Sequence, residues 1–372
     1  MEFFVQKKIL IISPEYWSHI PVSKHHYAMA LARNGNQVFF LNPPSSKNSI
    51  QEDSIYRGVW IVDYVAIAGV NRLPAFLRDL INRYQIHSLK KLCQTSFDVV
   101  WSFDAFRFHN LKLFNAKVSI YHVADVHHSV LERQLANSAD IILSVSQKIL
   151  DRYSYAKKRM KKINHGFGEH FLKVNEAAAL PPAPLHVGYV GNLNNWNVDV
   201  TTMLEIVDAN PSVQFTFMGP YQPDSLIARE LKQKANCTLY GRVDNEKLPQ
   251  LFEQFHFFMM CYGIEKRDAS SNSHKILEYL TTGKPVVMNY TDEYDDKRDL
   301  VFMTDRNEEL PRVFQEVCAN YQQYMAPAWV EKRKVFAFSN SYLQHVKTID
   351  QLVVQYLESQ DRNSFATSKP LL

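Results

Sequence analysis

Apolar positions in this chain fall in short continuous runs, separated by stretches in which they recur at helical spacing. "KKILIIS", near the start, is an unbroken apolar run. That pattern belongs to a strand buried on both faces of a parallel sheet. "VSKHHYAMALARNG" then sets Ala, Met and Leu on one helical face and stops at Gly, and "NQVFFLNP" is a second strand. "FDVVWSF", "AKVSIYHV" and "ADIILSVS" continue as strands, and "KINHGF" closes this half. Residues 45–96 are less regular, with a strand expected near "VWIVDYV" and helical segments after it. "NEAAALPPAPL", with three prolines, has the composition of a semi-rigid connector. The alternation then restarts: strands at "HVGYVGN", "VQFTFMGP", "CTLYGRV", "FHFFMMCYG" and "KPVVMNY", helices at "DVTTMLEIVDAN", "NEKLPQLFEQF" and "SHKILEYL". The last 45 or so residues read as helical, and Tyr342, Val346, Ile349, Val353 and Tyr356 keep the spacing of one face.

Strands alternating with helices in both halves predict an α/β protein of two Rossmann-like domains with mostly parallel sheets, facing a cleft. The expected boundaries are 1–172, a linker at 173–185, a second domain at 186–328 and C-terminal helices at 329–372. Ligands of such sheets bind beyond the carboxyl ends of strands, so the informative residues follow strands.

Composition narrows the setting. Apolar residues make up 46% of 372, ample for two cores. Four scattered cysteines, Cys93, Cys237, Cys261 and Cys318, suit a reducing compartment and offer no zinc spacing. The start lacks the pattern of a signal peptide, and no apolar run approaches a membrane span. A cytoplasmic protein is expected, with peripheral attachment to the inner face of the cell membrane as an option. The net charge of +4 hides an asymmetry: residues 1–172 hold 22 Lys and Arg against 13 Asp and Glu. The densest basic run, Lys148–Lys162, reads either as a solvated helix face or as a patch for an anionic membrane surface. No nucleic-acid recognition motif is present.

"SHKILEYLTTGKPVV", residues 273–287, poses the sharpest question. Ile276, Leu277 and Leu280 form its buried stripe, and His274, Lys275 and Glu278 lie opposite. Cations in a first helical turn oppose the helix dipole. One reading is a solvated face with an i,i+3 ion pair. The other is a phosphate site: Asn272 and Ser273 supply N-cap groups, Lys275 meets a diphosphate, and Glu278 accepts ribose hydroxyls. Gly191 with Asn192, and Gly241 with Arg242, follow strands, where a missing side chain lets a ligand approach the backbone.

"HVGYVGNL", "FTFMGP", "LYGRVDNEKLPQLF" and "HKILEYLTTGKPVVM" resemble, in that order, the donor-binding domain of GT-B glycosyltransferases. "VSKHHYAMALARNGNQVFFLNP", "SIYHVADVHH", "VSQKIL" and "INHGFGEHF" resemble a bacterial subgroup with xanthan-type glucuronosyltransferases and teichuronic-acid enzymes. The resemblance implies a GT-B fold, with the nucleotide sugar on the second domain and the acceptor on the first. It implies Lys275 on the donor diphosphate, Glu278 on the ribose, and His165 and Gly166 near the donor. It also implies a C-terminal helix, from Trp329, crossing back to the first domain. Retaining relatives carry a second Glu eight residues before the ribose Glu; Ser270 stands there, which favours inversion.

An inverting transfer needs a base for the acceptor hydroxyl. Asp125, beyond a strand, matches the proposed base of the xanthan-type enzymes, and an N-cap role is the alternative. His19, in the loop after the first strand, is the rival base. His122, Asp125, His127 and His128 could also be read as a metal cluster, but the adjacent histidines would diverge on a helix. The acidic run at Asp292–Asp296 reads as a solvated loop. The expected protein is therefore a glycosyltransferase of hexosyl or glucuronosyl type in cell-surface polysaccharide synthesis. It would use a UDP-sugar or another NDP-sugar as co-substrate, no metal or cofactor, and a saccharide or lipid-linked acceptor. A sugar-nucleotide epimerase of the same fold and a catalytically silent scaffold are the other readings.

Overall fold

The computed structural model describes residues 2–123, 129–173, 183–263 and 273–367. The chain forms two compact units, 1–164 with 342–372, and 165–341.

The first unit opens β1 (Lys8–Ile12), α1 (Ser23–Arg33), β2 (Gln37–Leu41), β3 (Ser49–Glu52), β4 (Val59–Asp63) and α2 (Ala75–Leu92). It continues through β5 (Val99–Ser102), β6 (Val118–Val123), α3 (Val130–Ser138), β7 (Ile141–Ser144), α4 (Gln147–Asp151) and β8 (Arg159–Lys162). The strands form one sheet in the order β3-β4-β2-β1-β5-β6-β7-β8. All pairings are parallel except that of the edge strand β3 with β4. Along β1, Ile9 and Ile11 face one apolar layer, and Leu10 and Ile12 the other. Double coverage is why this strand is apolar at consecutive positions.

The second unit comprises β9 (His186–Val190), α5 (Val200–Ala209), β10 (Gln214–Met218), α6 (Leu226–Lys232), β11 (Cys237–Gly241), α7 (Leu248–Phe252) and β12 (Phe257–Met259). Then follow α8 (His274–Leu280), β13 (Val286–Asn289), β14 (Phe302–Thr304), α9 (Leu310–Ala319), α10 (Tyr321–Tyr324) and α11 (Pro327–Ser339). Its parallel sheet runs β11-β10-β9-β12-β13-β14. The order reverses between β9 and β12, the switch point at which such sheets hold ligands.

The last helix, α12 (Tyr342–Thr367), returns to the first unit. Tyr342, Val346, Ile349 and Val353 are buried there against Tyr27, Leu31 and Ile9. Tyr356 Oη donates to Asp140 at 2.8 Å. The crossing therefore begins at Tyr342, while α11, which contains Trp329, stays with the second unit. His165–Lys173 also group with the second unit, since Phe167 and Phe171 pack in its core against Phe338 and Phe252.

Two local expectations are corrected. The basic run at Lys148–Lys162 is not one helix face. It folds as α4, a 3-10 turn and the edge strand β8, and buries Ile149, Leu150 and Tyr153 between its charges. Charged residues on an edge strand discourage pairing with another chain. The acidic run at Asp292–Asp296 is part of a 3-10 helix with Tyr294 buried, and Asp295 and Asp296 pair with Arg298 and Lys297. Most of the expected linker, residues 174–182, lies outside the described residues.

Candidate functional site

Three strands of the second unit end on glycine at the same sheet edge. Gly191 N–H donates to Met218 O at 2.9 Å, and Gly219 N–H donates to Gly241 O at 2.7 Å. A Cβ on Gly219 would stand 1.9 Å from Gly191 O, so the ends of β9 and β10 meet backbone to backbone. Gly219 was not singled out from the sequence, although it follows its strand as Gly191 and Gly241 do. Asn192 caps a tight turn, accepting from Asn194 N–H at 2.9 Å.

Helix α8 is fastened to this edge. Tyr279 Oη accepts from Val190 N–H at 2.8 Å. Its ring stacks on Phe258 of β12, with centroids 4.3 Å apart. One side chain thus ties the helix to both strands flanking the switch point. Tyr279 lies outside the stripe of Ile276, Leu277 and Leu280 that the spacing marks, yet it is fully buried.

Ser273 caps α8. Lys275 Nζ donates to Glu278 Oε2 at 2.8 Å, and His274 Nε2 lies 3.6 Å from Oε1. The lysine and glutamate side chains are only 14% and 7% exposed. The face is therefore not solvated: a partly buried ion pair occupies it. Half of the His274 side chain is open to solvent. The His165 ring lies 6.4 Å from that of His274, and burial, then His274, push its pKa down to about 3. His170, to which no motif in the sequence assigns a role, joins the group. Burial lowers its pKa first, and Glu278 and Lys275 act on it in opposite directions. His165 and His170 flank Gly166 in one loop, beside the pair. Burial thus lowers the pKa of both His165 and His170, and Lys275 makes the close ion pair with Glu278.

Arg242 stands apart. It is exposed after β11, two strands from β9, lining a recess of about 340 Å³ with Tyr240, Asp244, Lys247 and Gln250. Asn272, Asp125, His127, His128 and Ser270 lie outside the described residues. His122 is buried between aromatic rings, 4.8 Å from Phe103 and 6.0 Å from Trp101.

In the first unit, the order reverses between β1 and β5, and His19 sits in the loop after β1. That loop is held at several points. Trp17 Nε1–H donates to Asp53 at 2.8 Å, and its N–H to Asn42 at 2.8 Å. His25 Nδ1 accepts from Val22 N–H, which leaves Nε2–H to donate to Tyr16 O at 3.0 Å. Lys24 pairs with Glu15. His19 is exposed, and its Nδ1–H donates to Ile20 O at 2.8 Å, placing the lone pair of the neutral ring on Nε2. Behind the loop, Arg107 bonds Asp104, Asn42 O and Ser13 O, linking residues after three strands.

The family model "Glycosyl transferases group 1" matches residues 184–317. No curated protein matches the chain in sequence. Among solved structures, HepE from Anabaena, in complex with UDP and glucose, is 15% identical, with TM-score 0.61 over 95% of this chain and 100% of that one. A glycosyltransferase from Rickettsia africae is 11% identical, with TM-score 0.65 over 95% and 99%. Sucrose-phosphate synthase from Thermosynechococcus elongatus is 13% identical, with TM-score 0.57 over 97% and 100%. Residues 184–317 are thus similar to the group 1 glycosyl transferases, in a chain that has the GT-B fold.

Proposed function

We propose that the chain transfers a sugar from a nucleoside diphosphate sugar to an acceptor hydroxyl, with inversion. The observation that carries this reading is the Lys275–Glu278 pair, partly buried in the first turns of a helix that Tyr279 fastens to the end of β9 at the switch point. In the pair, each charge neutralises the other. A bound diphosphate would draw Lys275 away and leave both Glu278 oxygens to accept from ribose hydroxyls. Gly191 and Gly219 let β9 and β10 end backbone to backbone, and Gly241, with no atom within 4 Å of its Cβ position, leaves open space at the end of β11. His165, Gly166 and His274 border the same group, and Ser273 and Asn272 precede it. UDP is the favoured base, supported by HepE and by an E. coli trehalose-6-phosphate structure bound with UDP-2-fluoro glucose.

In the transfer, the acceptor oxygen bonds to the anomeric carbon as its proton passes to a base. The bond from that carbon to the diphosphate breaks, and the electron pair leaves on phosphate oxygen, which Lys275 stabilises. The proposal gives this charge to lysine instead of a divalent ion. Asp125 or His19 takes the proton, and the lone pair on His19 Nε2 is suited to it. The acceptor is proposed to be a saccharide on a lipid carrier, in cell-surface polysaccharide synthesis, and the sugar a hexose or glucuronic acid.

Calorimetric titration of UDP and GDP into the wild type and Lys275→Ala tests the site. One nucleotide should bind, and at least tenfold more weakly to the variant, about 1.4 kcal/mol. Absence of binding, or binding indifferent to Lys275, would overturn the assignment. Sugar product formed without an acceptor would replace transfer with epimerisation.

A further inference from the structure

Helix α2 is inside out in its first three turns. Arg78, Asn82 and Gln85 are buried, at 5%, 4% and 7% exposure, while Phe76, Leu80 and Tyr84 point outward at 72%, 64% and 66%. The inward polar groups are bonded. Arg78 donates to Leu73 O and to Gln134, and Gln85 accepts from Ile67 N–H and donates to Asn82. The orientation is therefore built in, and the outward apolar ridge is what remains to be explained. A single exposed apolar side chain is ordinary; a row on one helix face marks an interaction surface.

The charges on that face indicate what covers it. At about 100° per residue, Arg83 and Lys91 share the arc of Phe76, Leu80 and Tyr84 or its margin. The one acidic residue of α2, Asp79, lies to the side and accepts from Asn110 at 2.9 Å. A face with apolar residues in its first turns and cations in its later ones suits a helix lying in the interface of an anionic bilayer. A second copy would instead set like charges against each other. Among the described residues no helix is long and apolar enough to cross a membrane, so α2 would lie on the surface.

We infer that the outward face of α2 docks the first unit onto an anionic lipid surface. This inference does not rest on sugar transfer, because it is read without turnover.

The test is co-sedimentation of the full chain with vesicles of phosphatidylcholine alone and of phosphatidylcholine with phosphatidylglycerol. The wild type should pellet with the anionic vesicles, and less so as salt rises. Phe76→Ser with Leu80→Ser should weaken binding at least tenfold, about 1.4 kcal/mol. Arg83→Glu with Lys91→Glu should abolish the preference for phosphatidylglycerol. Melting curves matching the wild type would show that these exposed substitutions leave the fold intact. Wild type that stays in the supernatant, or serine variants that pellet like wild type, would overturn the inference. So would a wild-type dimer that the serine substitutions dissociate, since a second copy would then cover the ridge.

Discussion

Gly219→Ala is the most direct test of the edge built by β9, β10 and β11. Gly219 has φ 143°, and an added Cβ would stand 1.9 Å from Gly191 O. An ordinary contact is about 3.5 Å, so the strand ends must separate by about 1.5 Å. Separation threatens the bonds from Gly191 N–H to Met218 O and from Gly219 N–H to Gly241 O. Each is worth about 1 kcal/mol, to which the forced backbone conformation adds about 1–3 kcal/mol. The sum, about 3–5 kcal/mol, should lower the melting temperature of the second unit by about 10 °C. Gly241→Ala is the comparison: it also has a positive φ, 81°, but no atom within 4 Å of its Cβ position, so it should cost only about 1 kcal/mol. Scanning calorimetry of both variants, with UDP titration of each, separates collision from strain. If Gly219→Ala melted like Gly241→Ala and bound UDP as the wild type does, the close approach would be refuted, and with it the backbone edge of the proposed site.

Two further outcomes follow from groups away from that edge. Lys284 is buried, donates to Phe252 O at 2.8 Å and Glu253 O at 3.2 Å at the end of α7, and burial lowers its pKa to about 8. Because the folded value lies below the unfolded one of about 10.4, the unfolded chain holds the extra proton between them, and stability should rise by up to about 3 kcal/mol as pH climbs through that window. Lys284→Met should flatten the rise in urea unfolding, and an unchanged slope would show that the ammonium is not the source. Truncation after Ser341 removes the buried side chains Tyr342, Val346, Ile349 and Val353 from the first unit. Their burial is worth about 6–12 kcal/mol, comparable to the stability of a whole domain. The first unit should lose its cooperative transition by circular dichroism, and retention of that transition would contradict the packing.

Most strands were legible because burial on both faces leaves an unmistakable apolar run, as at Lys8–Ile12 and Val118–Val123. β3 was not, since "SIQE" contains one apolar residue and pairs only at the sheet edge. The Lys148–Lys162 run misled because charge hid the buried residues between its cations. At the candidate site, His274 and Lys275 stood out through their conflict with the helix dipole, and Glu278 as the acid on the same face. Tyr279 and Gly219 did not: one looks like core, and the other reveals its reason only when Gly191 O is seen beside it. His170 lies well before His186, where the first strand of the second unit begins, and only the fold brings it to α8. The inverted face of α2 was hidden too, because a helical period does not say which of two faces turns inward.

The return of α12 sets an order of events during synthesis. The second unit is continuous in sequence, whereas the first begins before it and is completed after it. At about 5–20 residues per second, roughly 10–35 s pass between the emergence of Asn164 and that of Tyr342. Over that interval the layer formed by Ile9, Tyr27 and Leu31 lacks its cover. The C-terminal unit should thus reach its native state first, and the N-terminal one should depend on chaperone shelter on the ribosome until the last helix arrives.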